Sequence, residues 1–320
     1  MHLRGVTKVY DPGCHCAFTD VYRWRDRVYL AFREAMNHSV RPSGQIVVLA
    51  SADKGCSFGP HARLALAGHD LRDPHIFEIG ERLFLTVPTW RLPRERVSLV
   101  ASSEDGLRWE LHSNALFEGL TLWRPRRGPD GAIYAAAYAH EEPHGQMVHL
   151  MRTTDGIEWE KVSVISEDGR PNETELCFLE DGELLALVRR EEPPNHPQLA
   201  RARPPYTEWL RIDCDRYLQG PMLERMPDGR LLAVGRSQVS EGEKDGPRVT
   251  RGFDLDIETG SLTQLFELPS GNDTSYAGLS WVSGDEALLS YYSGHEYSNG
   301  AYRGGDEVQR TAIYVARLGA

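Results

Sequence analysis

The stretch PNETELCFLEDGELLALVRRE, from Pro171 to Glu191, carries acids at its start and bases at its end. Glu173 and Glu175 precede a Glu-Asp-Gly turn and an apolar run, and Arg189 and Arg190 close it. Carboxylates can move protons. Guanidinium groups bind carboxylates bidentately and keep their charge at any working pH. A hairpin returns its two ends to one rim of a sheet, so Glu173 and Arg189 are expected side by side. Arg236 holds the corresponding place after RMPDGRLLAVG. Arg33 in AFREA, Arg72 in LRDP and Arg124 in LWRP stand at strand ends or loops. Together they could build an anion site.

The elements that must position these groups repeat. A turn with Asp or Gly, followed by an alternating apolar strand, occurs in RWRDRVYLAFRE, FEIGERLFLTVP, GPDGAIYAAAYA, FLEDGELLALVRR, RMPDGRLLAVGRS and WVSGDEALLSYYS. The copies are spaced by roughly 50 residues, a period of repeat arrays. A second signal runs in phase: SADKGCSF from Ser51, SSEDGLRWE from Ser102 and TTDGIEWE from Thr153, with PPYTEW one period on. Ser/Thr and Asp side chains in such turns bond the turn backbone. The closing aromatics Phe58, Trp109, Trp159 and Trp209 are expected to pack between units. No segment shows a capped 3.6-residue period. The pattern predicts an all-β chain, a six-bladed β-propeller of four-stranded antiparallel blades forming one domain over residues 1–320. The strand AIYVARL near the C-terminus is expected to share a blade with the N-terminal residues, which removes open sheet edges.

Composition narrows the function. With 36 basic and 47 acidic residues the formal net charge is −11, which disfavours a phosphate backbone as partner. No apolar run reaches the roughly 18 residues of a membrane span, and the N-terminus lacks the apolar core of a signal peptide. A cytoplasmic protein is expected. Cys14-His15-Cys16 has no second ligand pair at a useful spacing, so neither a metal nor another cofactor is expected. Five scattered cysteines fit reduced thiols.

SADKGCSF matches the Asp-box pattern Ser-x-Asp-x-Gly-x-Ser/Thr-Trp/Phe, and SSEDGLRW and TTDGIEW are shorter versions. With six blades, these motifs resemble the sialidase (neuraminidase) superfamily. The Asn-Glu, Asp-Gly turn and Arg of the opening stretch are similar to the segment that supplies a catalytic glutamate and a substrate-binding arginine there. NDTSYAGL, with Tyr276, is similar to the segment of the tyrosine nucleophile. AFTD, LAFREAMNH, DLRDPHI, LWR, PNETE, LVRRE, PPYTEW, LPSGNDTSY and SYYSGHE resemble a bacterial group of sialidase-like propellers of undefined substrate.

The resemblance implies Tyr276 as nucleophile, Glu173 as its base, and Arg189 and Arg236 as substrate ligands. A phenol suits an anomeric carbon that bears a carboxylate. An attacking carboxylate would meet repulsion on the order of 4 kcal/mol at about 4 Å and an effective dielectric near 20. A phenol of pKa about 10 needs a neighbouring base. Two family positions differ. Phe18-Thr19-Asp20-Val21 stands where the family has Phe-Arg-Ile-Pro, and Asn37-His38 where it has its acid/base aspartate. His38, with an unperturbed pKa near 6.5, becomes a candidate general acid, with Asp73 and Asp20 as rivals. His295 and Glu296 are expected to bind sugar hydroxyls, and Trp123 could stack on a sugar ring or belong to the core.

The expected function is exo-glycoside hydrolysis of an anionic or hydroxyl-rich glycan. A polysaccharide lyase acting on uronates, a carbohydrate-binding propeller without chemistry, and a five-bladed glycosidase built on Asp-Pro motifs such as Asp73-Pro74 are the alternatives.

Overall fold

The computed structural model describes residues 1–39, 44–91, 95–141, 145–243, 246–301 and 307–320. They form six antiparallel sheets and no α-helix. Blade 1 runs from strand His15–Trp24 to Gly59–Leu64, blade 2 from His69–Leu71 to Glu110–Glu118, and blade 3 from Thr121–Leu122 to Glu160–Ser166. Blade 4 runs from Pro171–Phe178 to Leu210–Asp213 and blade 5 from Gln219–Arg225 to Leu262–Glu267. Blade 6 runs from Thr274–Trp281 to Ala312–Gly319, and the N-terminal strand His2–Tyr10 adds its outer edge. This is the six-bladed propeller the repeat predicts, closed by pairing the two chain ends.

The repeated turns form for local reasons. Asp130, Asp181 and Asp228 each accept a hydrogen bond from the backbone N–H two residues on. The intervening glycine takes a left-handed φ, +83° at Gly182. Asp53 binds the Ser57 N–H and hydroxyl, while Asp105 and Asp155 each bind two N–H groups of their own turns. The aromatics that close these turns pack at blade boundaries. Phe58 joins the core between blades 6 and 1, Trp109 that between 1 and 2, Trp159 that between 2 and 3, and Trp209 that between 3 and 4. The apolar core is therefore a ring of such clusters rather than one central mass.

What the repeat does not announce is a break in every innermost strand at the same height. The ladder is interrupted between Ala17 and Asp20, Leu71 and His75, Leu122 and Arg126, Pro171 and Thr174, Gln219 and Met222, and Ser275 and Gly278. Bulges re-aim side chains and end pairing locally. Proline, which cannot donate to a ladder, stands in three of these gaps as Pro74, Pro125 and Pro221. Residues from five of the six breaks, with His75, line one small pocket where the inner strands converge: Phe18, Thr19, Asp73, Trp123, Arg124, Gly220, Pro221, Tyr276 and Ala277.

Close packing there explains Gly278. A Cβ at this position would lie 2.7 Å from the Asp20 Cα and from the Val21 nitrogen. Gly278→Ala is expected to destabilise the fold by about 1–3 kcal/mol, as overpacking of a tight core does. A lowered thermal midpoint would register it, and an unchanged midpoint would contradict the packing of blade 6 on blade 1.

Candidate active site

Tyr276 occupies the blade 6 bulge. Its φ is 51° and that of Ser275 is 100°. Non-glycine residues held there cost roughly 1–3 kcal/mol each and persist only where the surroundings enforce them. Here the tyrosine ring is enclosed by Phe18 at 5.1 Å, Trp123 at 6.2 Å and Tyr292 at 6.2 Å between centroids. Blade 5 passes close by because Gly220 has no side chain. A Cβ on it would sit 3.2 Å from the ring.

The Tyr276 hydroxyl donates to Glu173 Oε1 at 2.7 Å and accepts from Arg189 Nη1 at 3.2 Å. Arg189 also pairs with Glu173 Oε2 at 2.5 Å. Its remaining nitrogens are held by Gln219 at 2.6 Å and Glu191 at 2.9 Å. The hairpin of blade 4 thus brings its acid and its guanidinium together, and blade 6 supplies the phenol. Burial pushes the phenol well above its ordinary pKa. The Glu173 charge adds to the rise, while Arg189 and Arg236 oppose it. The group is a neutral phenol whose proton is aimed at a carboxylate.

Two further arginines stand nearby, one over the Tyr276 ring and one over Phe18. Arg236 lies 5.3 Å from the Tyr276 centroid, held by the Thr274 carbonyl and the Tyr292 hydroxyl. Arg72 lies 4.8 Å from the Phe18 ring and donates to the His38 carbonyl and Asp70. One terminal nitrogen of each, Nη1 of Arg236 and Nη2 of Arg72, has no hydrogen-bond partner among the described residues. Asp73, beside Arg72, has φ 39° and a side chain 16% exposed. Burial pushes its carboxyl up to about 7; Arg72 opposes the rise and Glu173 adds to it.

Other expected site residues stand differently. Arg33 is fully buried and every one of its five N–H groups is engaged, by Asp70 twice, the His15 ring, and the carbonyls of Asn37 and Ser39. No N–H is left for a ligand. Arg124 bridges Asp20 of blade 1, Glu175 of blade 4 and the Ala277 carbonyl of blade 6. Asp20 also accepts the Ile76 N–H. These two residues tie blades together. Glu296 turns outward to Lys8 at 2.6 Å, and His295 bonds Ser293. Trp123 is both buried core and pocket wall.

His38 Nδ1 lies 2.6 Å from Asp273, and Phe18 separates its ring edge-to-face from Tyr276. Burial lowers its pKa against the pull of Asp273. Asp273, not singled out from the sequence, gathers His15, His38, Gln309 and the Tyr292 hydroxyl. His15, His38 and Asp273 are close enough to share a metal ion. Arg33, always a donor, bonds His15 Nδ1, so His15 Nε2 carries its proton toward Asp273. That nitrogen is not free to ligate, and the set reads as a hydrogen-bonded network. Asp273 stood in the quoted segment LPSGNDTSY, three residues before Tyr276, and an acid so near the tyrosine in the chain was the signal available.

From Arg189 and Gln219 a cleft of about 380 Å³ opens along blades 4 and 5, with His196, Glu241 and Arg248 on its walls.

No protein-family model matches the chain, and no curated protein matches it. Among solved structures it is similar to a protein of unknown function from Dyadobacter fermentans, with 17% identity, TM-score 0.78 and 99% of both chains covered. It is similar to Trypanosoma rangeli sialidase at 10% identity and TM-score 0.68, covering 99% of this chain and 60% of that one. A GH43_1 enzyme from Xanthomonas citri in complex with xylose shares 12% identity at TM-score 0.59, with 98% and 89% covered. The structural neighbours thus include sialidases and family-43 propellers, and the likeness is one of fold.

Proposed function

We propose that the protein is a sialidase-like exo-glycoside hydrolase acting on an anionic glycan. The observation that carries this reading is the 2.7 Å hydrogen bond from the Tyr276 phenol to Glu173, with Arg189 bonded to both. A tyrosine with a carboxylate base in contact is what a nucleophile of high pKa requires. Arg72, Arg189 and Arg236 would hold the substrate's carboxylate, which makes a neutral nucleophile preferable to a second acid.

In the first step Glu173 accepts the phenol proton as the oxygen bonds to the anomeric carbon. The bond to the leaving oxygen breaks, and Asp73 protonates that oxygen. In the second step Asp73 takes a proton from water. The water oxygen bonds to the anomeric carbon, the phenol departs, and Glu173 returns its proton. Two displacements retain configuration. Asp73, with its raised pKa and its place in the Tyr276 pocket, serves this role better than His38, which is turned to Asp273.

The sign of the pH dependence follows. Asp73 must begin protonated, so kcat/KM should fall as pH rises through about 7. Asp73→Asn should lower activity by about 10²-fold or more and abolish that alkaline limb. A limb that persists unchanged in the residual activity assigns the acid elsewhere.

The test of the reading is a panel of defined glycosides, with sialosides and uronides included, assayed for new reducing ends and for absorbing unsaturated products. Hydrolysis of an acidic glycoside is expected. Unsaturated products would replace hydrolysis by elimination, and sugar binding without turnover would leave a lectin-like propeller.

A further inference from the structure

The pocket between Asp73 and Tyr276 is walled in part by two side chains with polar atoms that the chemistry above does not use. His75 and Trp123 are each 3% exposed and pack their rings 4.9 Å apart. Both nitrogens of His75 and the indole nitrogen of Trp123 lack partners among the described residues. Asp20 Oδ2 lies 4.0 Å from His75 Nδ1, beyond hydrogen-bond length. Buried polar groups are almost always bonded, and an exception points to a missing partner. Thr19, on the same wall, is committed to the Tyr276 carbonyl and Ser290. His75 and Trp123 are therefore the groups left to read an occupant.

We propose that this pocket is a specificity subsite for one hydroxyl-bearing substituent of the substrate sugar, recognised by His75 and Trp123. The proposal rests on the glycosidase reading and narrows its substrate. Burial holds His75 neutral, with Arg124 and Arg126 adding to the effect. A neutral imidazole offers one donor and one acceptor, and the indole offers a donor. A hydroxyl can accept from Trp123 and donate to His75. The space is about 220 Å³ including its mouth, and its walls leave room for about one water-sized group. An acetamido group is too large to enter. A bare hydrogen would leave all three nitrogens unpaired.

Sites built around a substrate hydroxyl reject the deoxy analogue by up to about 10⁵-fold. Because this pocket opens past Asp73 and Tyr276, which are only partly buried, about 10²-fold is the expected discrimination. The experiment compares matched 4-nitrophenyl sialosides and uronides that carry hydroxyl, hydrogen or acetamido at one ring position at a time. At one position, wild-type protein should favour hydroxyl over both others by about 10²-fold in kcat/KM. His75→Phe and Trp123→Phe should each shrink the hydroxyl-to-deoxy ratio at that position to within about fivefold. Equal turnover of all three forms at every position overturns the subsite and leaves the hydrolase reading standing. Absence of turnover on the whole panel overturns the hydrolase reading instead. Calorimetric binding of the corresponding free sugars then decides the subsite: a hydroxyl preference lost in His75→Phe supports it, and no preference in wild type overturns it.

Discussion

Tyr276→Phe is expected to lower kcat by at least about 10³-fold while the protein stays folded. The substitution removes one oxygen. The ring keeps its contacts with Phe18, Trp123 and Tyr292, so the strained bulge retains its packing. What disappears is the oxygen proposed to bond to the anomeric carbon, the one that donates to Glu173 at 2.7 Å. Loss of a nucleophile reduces turnover by several powers of ten, and the residue comes from binding and electrostatics alone. The loss should lie in kcat, with substrate affinity changed little, because Arg72, Arg189 and Arg236 remain. Glu173→Gln should fall in the same range, since an amide cannot accept the phenol proton. Steady-state kinetics together with a thermal melt separate the effect from misfolding. Near wild-type kcat in Tyr276→Phe would remove the nucleophile.

Arg124→Met is expected to cost about 3–5 kcal/mol of stability, as removing one partner of a buried ion pair does. Arg124 is 6% exposed and joins Asp20, Glu175 and the Ala277 carbonyl. Glu175 keeps Arg126 at 2.7 Å, but Asp20 loses its cation. Burial already raises the Asp20 carboxyl, and Arg124 is the largest influence holding it down. In the variant that carboxyl therefore rises further above its unfolded value. A group raised on folding contributes stability when protonated and loses it as pH rises. The deficit relative to wild type should thus be greatest at neutral pH and shrink as the medium is acidified. Chemical unfolding at several pH values tests both parts. A deficit below about 1 kcal/mol at pH 7 would show that Arg124 does not tie the blades together.

The ring of blades was legible because its cause is local. Each copy needs an Asp-Gly turn and an alternating strand, and both are written in a dozen consecutive residues. Glu173 and Arg189 were legible for the same reason, since one hairpin joins them. Residues that meet only through the closed ring were less so. Arg33 and Arg124 read as strand-end arginines, but nothing nearby in the chain revealed that their partners are Asp70, Asp20 and Glu175. His295 and Glu296 follow a strand whose tyrosine, Tyr292, does reach the centre. The chain then turns at Gly294, and Glu296 leaves toward Lys8. The six breaks were written partly as Pro74, Pro125 and Pro221. A proline inside a strand pattern marks an edge or a bulge, but only closure of the ring makes these bulges face one axis.

The central claim is a covalent bond between the Tyr276 oxygen and the substrate's anomeric carbon. A glycosyl fluoride with a second fluorine beside the anomeric centre slows hydrolysis of such a bond by destabilising its oxocarbenium-like transition state. Mass spectrometry of protein treated with this reagent, followed by peptide mapping, should show one added glycosyl group, on the peptide carrying Tyr276 and on that residue. A label on Glu173 or Asp73, or turnover to product of inverted configuration with no adduct, would contradict the account.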